Sequence, residues 1–274
     1  RFGPLQGSRR VWLQIGDGPR AERSEAYLRE PVTFSANDGV KLSGTIYSPM
    51  GKGRQRAATV LIHGSGPQDR NGYASIIAVL ADELANRGRV VLVYDKRGAG
   101  ESAGDGERAG FGLLADDAVA GMALLTKRAD VDPMRVGLAG SSQAGWVAAE
   151  AIRRGARPAD VFLLGAAGSA FTVAEQNLYN TEVRMRCAGI GDADIALALD
   201  QQMAFFAFLK DSARAPELDR LTALGLTRRT LADWLFPDSR TTDRNSGEWY
   251  TTLDPAFDPL PTWRQFRGRG LFLF

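Results

Sequence analysis

The sequence holds a single cysteine and a single histidine in 274 residues. With Cys187 alone, neither an internal disulfide nor a multi-cysteine metal site can form, and His63 alone excludes a histidine-rich one. No apolar run approaches the roughly 20 residues of a membrane-spanning helix. A net charge of +2 gives no reason to expect nucleic acid or an anionic membrane as partner. The glycine-rich loops lack the Gly-Lys-Ser/Thr of a phosphate-binding loop. Gly98-Ala99-Gly100 lacks the spacing and the acidic partner of a dinucleotide site. No cofactor and no metal are therefore expected. An apolar share of 44% is ordinary for a globular chain of this length, enough for one large core with a further unit inserted in it.

The most informative stretch is Gly140-Ser141-Ser142-Gln143-Ala144-Gly145, between the apolar run Val136–Ala139 and the helical run beginning at Trp146. A strand, a tight turn and a helix with serine at the apex form a nucleophile elbow. Its sharpness demands small residues two before and two after the nucleophile. Ser142 satisfies this with Gly140 and Ala144; Ser141 does not, because Gln143 would take the second small position. The unpaired N–H groups opening the next helix favour negative charge at the turn. The plainer reading, a Gly/Ser linker between strand and helix, carries about equal weight for this string alone.

Two further strands change that balance. Ala57–Ile62 reads as a fully buried strand running into His63-Gly64-Ser65-Gly66, a loop whose glycines let backbone N–H groups approach an oxyanion. Val90–Tyr94 reads as another, ending in Asp95-Lys96-Arg97-Gly98-Ala99-Gly100-Glu101-Ser102. Helical faces separate the strands, Ile76, Ile77, Leu80 and Leu84 in one case and Leu114, Ala118, Met122 and Leu125 in the other. Strands alternating with helices predict an α/β fold, a mainly parallel sheet with helices on both faces.

On the stretches His63–Asn71, Tyr94–Ser102 and Gly137–Trp146, with a weaker one at Asp254–Pro259, the sequence resembles the α/β-hydrolase superfamily. Within it, the likeness is to bacterial esterases and serine-aminopeptidase-like hydrolases, from about residue 30 to the end. It departs from the common pattern at Ser141, where histidine is frequent, and at Ala144, where glycine is; both replacements are small enough to keep the turn. The resemblance implies a serine hydrolase acting on a small-molecule acyl substrate, an ester, thioester or amide. Ser142 would be the nucleophile, the N–H groups of Ser65 and Gln143 the oxyanion donors, and His63, Gly64, Gly66, Gly140 and Ala144 the supports of the loops.

A serine needs a base, and in this superfamily the order along the chain is serine, acid, histidine. The one histidine stands at the oxyanion loop, and the loop after Val161–Leu164 carries no acid. Three explanations compete: a fragment of a longer enzyme, a non-catalytic relative that only binds, or His63 as an unusual base. The fragment is favoured, because a chain starting at Arg1 and ending on an apolar strand leaves a sheet edge unfinished. The acid and base are then expected beyond Phe274, and the 274 residues alone are expected to turn over little. With the start read as cut, localisation is not legible, and neither is oligomeric state.

The expected organisation has four parts. Residues 1–29 form an extension with one apolar patch, Val11–Ile15. Residues 30–168 form the first part of the core, opening on a hairpin of Val32–Ser35 and Val40–Tyr47 about Asn37-Asp38-Gly39. Residues 169–252 form a helical cap insertion, with a stripe of Ile195, Leu199, Met203 and Phe206 widened by Phe205, Phe208 and Leu209, and with Trp234 and Phe236 beyond. Residues 253–274 return to the core. The stripe is an acyl-binding roof or, with about twice the weight, the insertion's own core. Asp95 and Arg97 are read as braces of a turn, Asp69 and Arg70 as a pair holding the oxyanion loop, and Arg264, Arg267 and Arg269 as a solvated stretch.

Overall fold

The structure, a computed structural model, describes residues 26–51, 55–106, 108–165, 167–168, 171–235 and 254–273. The patch Val11–Ile15, Phe236 and Phe274 lie outside them. The chain divides into two compact units, Arg1–Ser169 with Pro261–Phe274, and Ala170–Leu260.

The first unit is built on a sheet of seven described strands in the order β1-β2-β4-β3-β5-β6-β7. These are β1 (Tyr27–Ser35), β2 (Lys41–Pro49), β3 (Arg56–Ile62), β4 (Val90–Tyr94), β5 (Val131–Ser141), β6 (Asp160–Leu164) and β7 (Arg269–Leu273). β1 and β2 form an antiparallel hairpin and β2 runs antiparallel to β4, while the remaining pairs are parallel. β1 begins at Tyr27, ahead of the Val32 start expected from the sequence, because Tyr27 is buried against Tyr47 and donates to Asp82 at 2.6 Å. Pro31 is tolerated within it because β1 is the outer strand.

The crossovers α1 (Ile76–Asn86), α2 (Phe111–Thr126) and α3 (Ala144–Arg153) make the parallel pairing possible. Ile77 on α1 is fully buried, with Ile76, Leu80 and Leu84 packed beside the same cluster as Leu61, Val91 and Val93. On α2, Leu114, Ala118 and Leu125 are buried as expected, but Met122 is only half-buried; Gly121 takes the closest position, over Val60 and Leu92. β3 and β4 are buried along almost their whole length, which explains their unbroken apolar sequences.

From β3 the chain crosses to β4 on one side, and β5 then pairs on the other. The sheet therefore has a switch point at the carboxyl ends of β3 and β5, the place where open α/β sheets form ligand crevices. Ile62 pairs with Gly140 in the register, so His63–Gly66 and Ser142 emerge side by side.

The second unit contains α4 (Val173–Cys187), α5 (Asp192–Lys210) and α6 (Ala215–Leu226). α4 starts at a capping box in which Thr172 and Glu175 satisfy each other's backbone N–H groups. The stripe on α5 is not the one expected. Met203 is exposed and Leu199 only partly buried, whereas Leu197, Ala198, Gln201 and Gln202 are buried with Ile195, Phe205 and Phe206. α5 packs against both α4 and α6, so its buried surface is wider than one stripe. The two buried amides donate to hydroxyls on the flanking helices, Gln201 to Thr222 at 3.1 Å and Gln202 to Thr181 at 2.8 Å.

Two ion pairs of Arg97 help tie the turn after β4 to the rest of the first unit. Arg97 is buried and donates to Asp117 on α2 at 2.8 and 2.5 Å and to Asp38 in the β1–β2 turn at 2.8 Å. Asp117→Ala leaves a buried guanidinium with the exposed Asp38 as its one carboxylate partner among the described residues, and is expected to lower stability by about 3–5 kcal/mol. The urea unfolding midpoint measures it; a shift no larger than that of an exposed pair would remove this account.

Candidate active site

Ser142 is exposed at the apex between β5 and α3 with φ 54°, a left-handed conformation that non-glycine residues adopt at a cost of roughly 1–3 kcal/mol. Its N–H donates to the Leu164 carbonyl at 3.0 Å, so the sheet holds the turn in place. Gly140 is required by close approach: a Cβ there would overlap the Ile62 carbonyl oxygen and stand 2.5 Å from the Ala144 Cβ. Ala144 is itself fully buried, so a larger residue has no room. Ser141, the last residue of β5, pairs with Leu164 and is not at the apex.

The loop after β3 lies against this turn. A Cβ on buried Gly64 would come 3.6 Å from both the Ser142 Cβ and the Ser141 oxygen. Ser65 and Gly66 are exposed, and Gln68 bridges the loop by donating to the Ser65 carbonyl at 2.6 Å and accepting from Tyr73 N–H at 3.1 Å. The amide N–H groups of Ser65 and Gln143 donate to nothing among the described residues. The structure thus brings together Ser142, Gly140, Ala144, Gln143 and the His63–Gly66 loop.

His63 is buried, its Nε2 is 3.1 Å from the Asp69 carbonyl oxygen, and its ring meets Tyr94 edge-on at 5.0 Å. Its Nδ1 is buried without a partner among the described residues. Burial, then the charge of Lys96, pushes its pKa down to about 4. It is therefore neutral at pH 7, and its ring is used in holding the loop. The Ser142 hydroxyl has no hydrogen-bond partner among the described residues.

The expected pair of Asp69 and Arg70 does not form. Asp69 instead accepts from Asn71 N–H and Nδ2, each at 2.9 Å, closing its own turn. Arg70 reaches Asp95 at 2.6 Å and Glu101 at 2.5 Å. Asp95 also accepts from Arg70 N–H at 2.7 Å and Glu101 N–H at 2.9 Å. Burial pushes the Asp95 carboxyl up, but the hydrogen bonds from Arg70 and Glu101 outweigh it and leave it below the usual carboxylate range.

The residue that the sequence reading passed over is Lys96, buried at 6% exposure. Its Nζ donates to the Gly64 carbonyl at 2.9 Å, the Gly66 carbonyl at 3.1 Å and Gln143 Oε1 at 2.8 Å. Burial brings its pKa down to about 8. The available signal was a lysine two residues after a wholly buried strand, a place from which a long cation can reach back across the strand ends. A separate groove of about 280 Å³ lies on the helical unit, lined by Asp200, Met203, Arg214 and Arg220 among others; none of the elbow or loop residues line it.

Residues 53–190 match the family model described as serine aminopeptidase, S33. The chain belongs to that family. That family lies within the α/β-hydrolase superfamily. The matched stretch contains the elbow, the His63–Gly66 loop and Lys96. Among curated proteins, the chain is 32% identical over 133 residues to the uncharacterized protein YfhR of Escherichia coli K12, covering 48% of this chain and 45% of that protein. It is 35% identical over 118 residues to YfhR of Salmonella typhimurium, covering 42% and 38%. The chain thus matches less than half the length of these relatives. Among solved structures it is similar to the esterase Pf2001 of Pyrococcus furiosus, with TM-score 0.47, 18% identity and coverage of 63% of this chain and 62% of that one. Among the described residues, no helix is long and apolar enough to cross a membrane.

Buried, neutral His63 makes stability depend on pH. The unfolded chain takes up a proton below about 6.5 while the folded site refuses it down to about 4, so acid favours unfolding. Between pH 7 and pH 5 this is expected to cost about 2 kcal/mol. Urea unfolding at the two pH values should show that loss, and His63→Phe should show a flatter dependence; equal slopes would mean that His63 is not the responsible group.

Proposed function

We propose that this protein is a serine hydrolase that cleaves a carboxylic ester, thioester or amide of a small-molecule acyl substrate through an acyl-enzyme on Ser142. The observation that carries the reading is the exposed Ser142 at φ 54°, with the glycine loop against it and two undirected N–H groups beside it. Ser142 Oγ attacks the carbonyl, and the N–H groups of Gln143 and Ser65 take the developing oxyanion, with the start of α3 adding its positive end. His63, Gly64, Gly66, Gly140 and Ala144 keep the two loops in contact.

We do not assign His63 as the general base: its Nε2 is held by the Asp69 carbonyl, and its Nδ1 is buried with no hydrogen bond to Ser142 among the described residues. No side chain among the described residues bonds to the Ser142 hydroxyl, so the proposal rests on the nucleophile and the oxyanion donors. The domain reading belongs to the same proposal: the unit built on the sheet, which takes in β1 from Tyr27, is the hydrolase core, and the helical unit is an insertion in it.

A fluorophosphonate probe on the whole protein is expected to label Ser142. Ser142→Ala should abolish labelling and lower p-nitrophenyl acetate turnover by roughly 10³-fold or more, while Ser141→Ala keeps both. Mass spectrometry of the labelled peptide decides: label on Ser141 would place the nucleophile wrongly, and a protein that takes no label would favour a hydrolase-like binding module.

A further inference from the structure

Lys96 has the geometry of a residue that sets the oxyanion site. An ammonium has three N–H groups, and here three oxygens receive them, from Gly64, Gly66 and Gln143. All three acceptors are neutral, and among the described residues no carboxylate is a hydrogen-bond partner of the ammonium. Two of the oxygens belong to the loop after β3 and the third to the elbow, so one side chain from the end of β4 ties both halves of the site together.

The direction of the grip matters. The Gly64 carbonyl and the Ser65 N–H belong to one planar trans peptide and point opposite ways. Holding that oxygen toward Lys96 aims the Ser65 N–H away from it. A loop flanked by glycines has little rotational restraint of its own, because either glycine tolerates a flipped peptide. On the other side, Gln143 supplies the second N–H, and its side chain is buried and anchored on the same Nζ. The ammonium also places positive potential in a water-poor region next to the place where charge develops.

Resting on the acyl-enzyme reading above, we propose that Lys96 is the positioning residue of the oxyanion site, fixing the directions of the Ser65 and Gln143 N–H groups through Gly64, Gly66 and the Gln143 side chain. A tether that only stabilised the fold would affect every substrate alike. A residue that aims oxyanion donors affects an oxoester far more than the corresponding thionoester, whose sulfur gains little from those donors.

The test is steady-state kinetics of the whole protein, its Lys96→Met variant and its Lys96→Gln variant on an aryl acetate and the matching aryl thionoacetate. Active sites are titrated so that rates refer to folded enzyme. For Lys96→Met, kcat on the oxoester is expected to fall roughly 10²-fold with KM little changed, and the thionoester rate to fall far less. Lys96→Gln, which keeps two N–H groups, should recover part of the loss, and it carries the test should the methionine variant not fold. Oxoester and thionoester rates that fall together, or variants that match the parent on both, would overturn the role of Lys96. A Ser142→Ala protein as active as the parent would overturn the acyl-enzyme reading itself, and this inference with it.

Discussion

The left-handed turn at Ser142 is the constraint on which the rest of the site depends. A serine at φ 54° persists only where its surroundings over-determine it. β5 holds it through the Ser142–Leu164 hydrogen bond, and α3 begins directly after it. The two positions beside it have no space for larger side chains, as the crowding at Gly140 and the full burial of Ala144 make plain. The strain exposes one hydroxyl at the carboxyl end of the sheet, and the small residues are its steric consequence.

Around that turn the sheet topology does the assembling. β3 lies between β4 and β5, so the ends of all three strands converge. β5 contributes the elbow, β3 the glycine loop, and β4 the run Asp95-Lys96-Arg97, whose side chains diverge to separate tasks. Asp95 takes Arg70 and fastens the far end of the glycine loop. Lys96 reaches the carbonyls of the near end. Arg97 turns away to Asp117 and Asp38. These buried groups are stable only because each is matched by partners, and that matching makes the loop ends rigid.

His63 shows the same logic with one position left open. Its ring is fixed by the Asp69 carbonyl and Tyr94, and its low proton affinity follows from burial reinforced by the neighbouring ammonium. A histidine so placed works as a rigid, neutral spacer in the loop. The cation beside it would oppose the imidazolium that a general base must become.

The sequence by itself determined the alternation of strands and helices, the buried character of β3 and β4, the hairpin about Asp38-Gly39, and the place of Ser142 rather than Ser141 at the apex of the turn. Each of these is a local matter of periodicity or of side-chain size at a fixed spacing, and short windows of sequence carry such information. It misled on the stripe of α5, because periodicity reports one face whereas the helix packs against two neighbours. It also mispaired Arg70, because nearness in sequence suggested Asp69 while the convergence of β3 and β4 offered Asp95. Only the tertiary structure decided that Lys96 holds both loops of the site, and that His63 spends its ring on Asp69. Those contacts span 32 and 47 residues for Lys96 and depend on strand order and register, which bring distant strand ends within a side chain's length of each other.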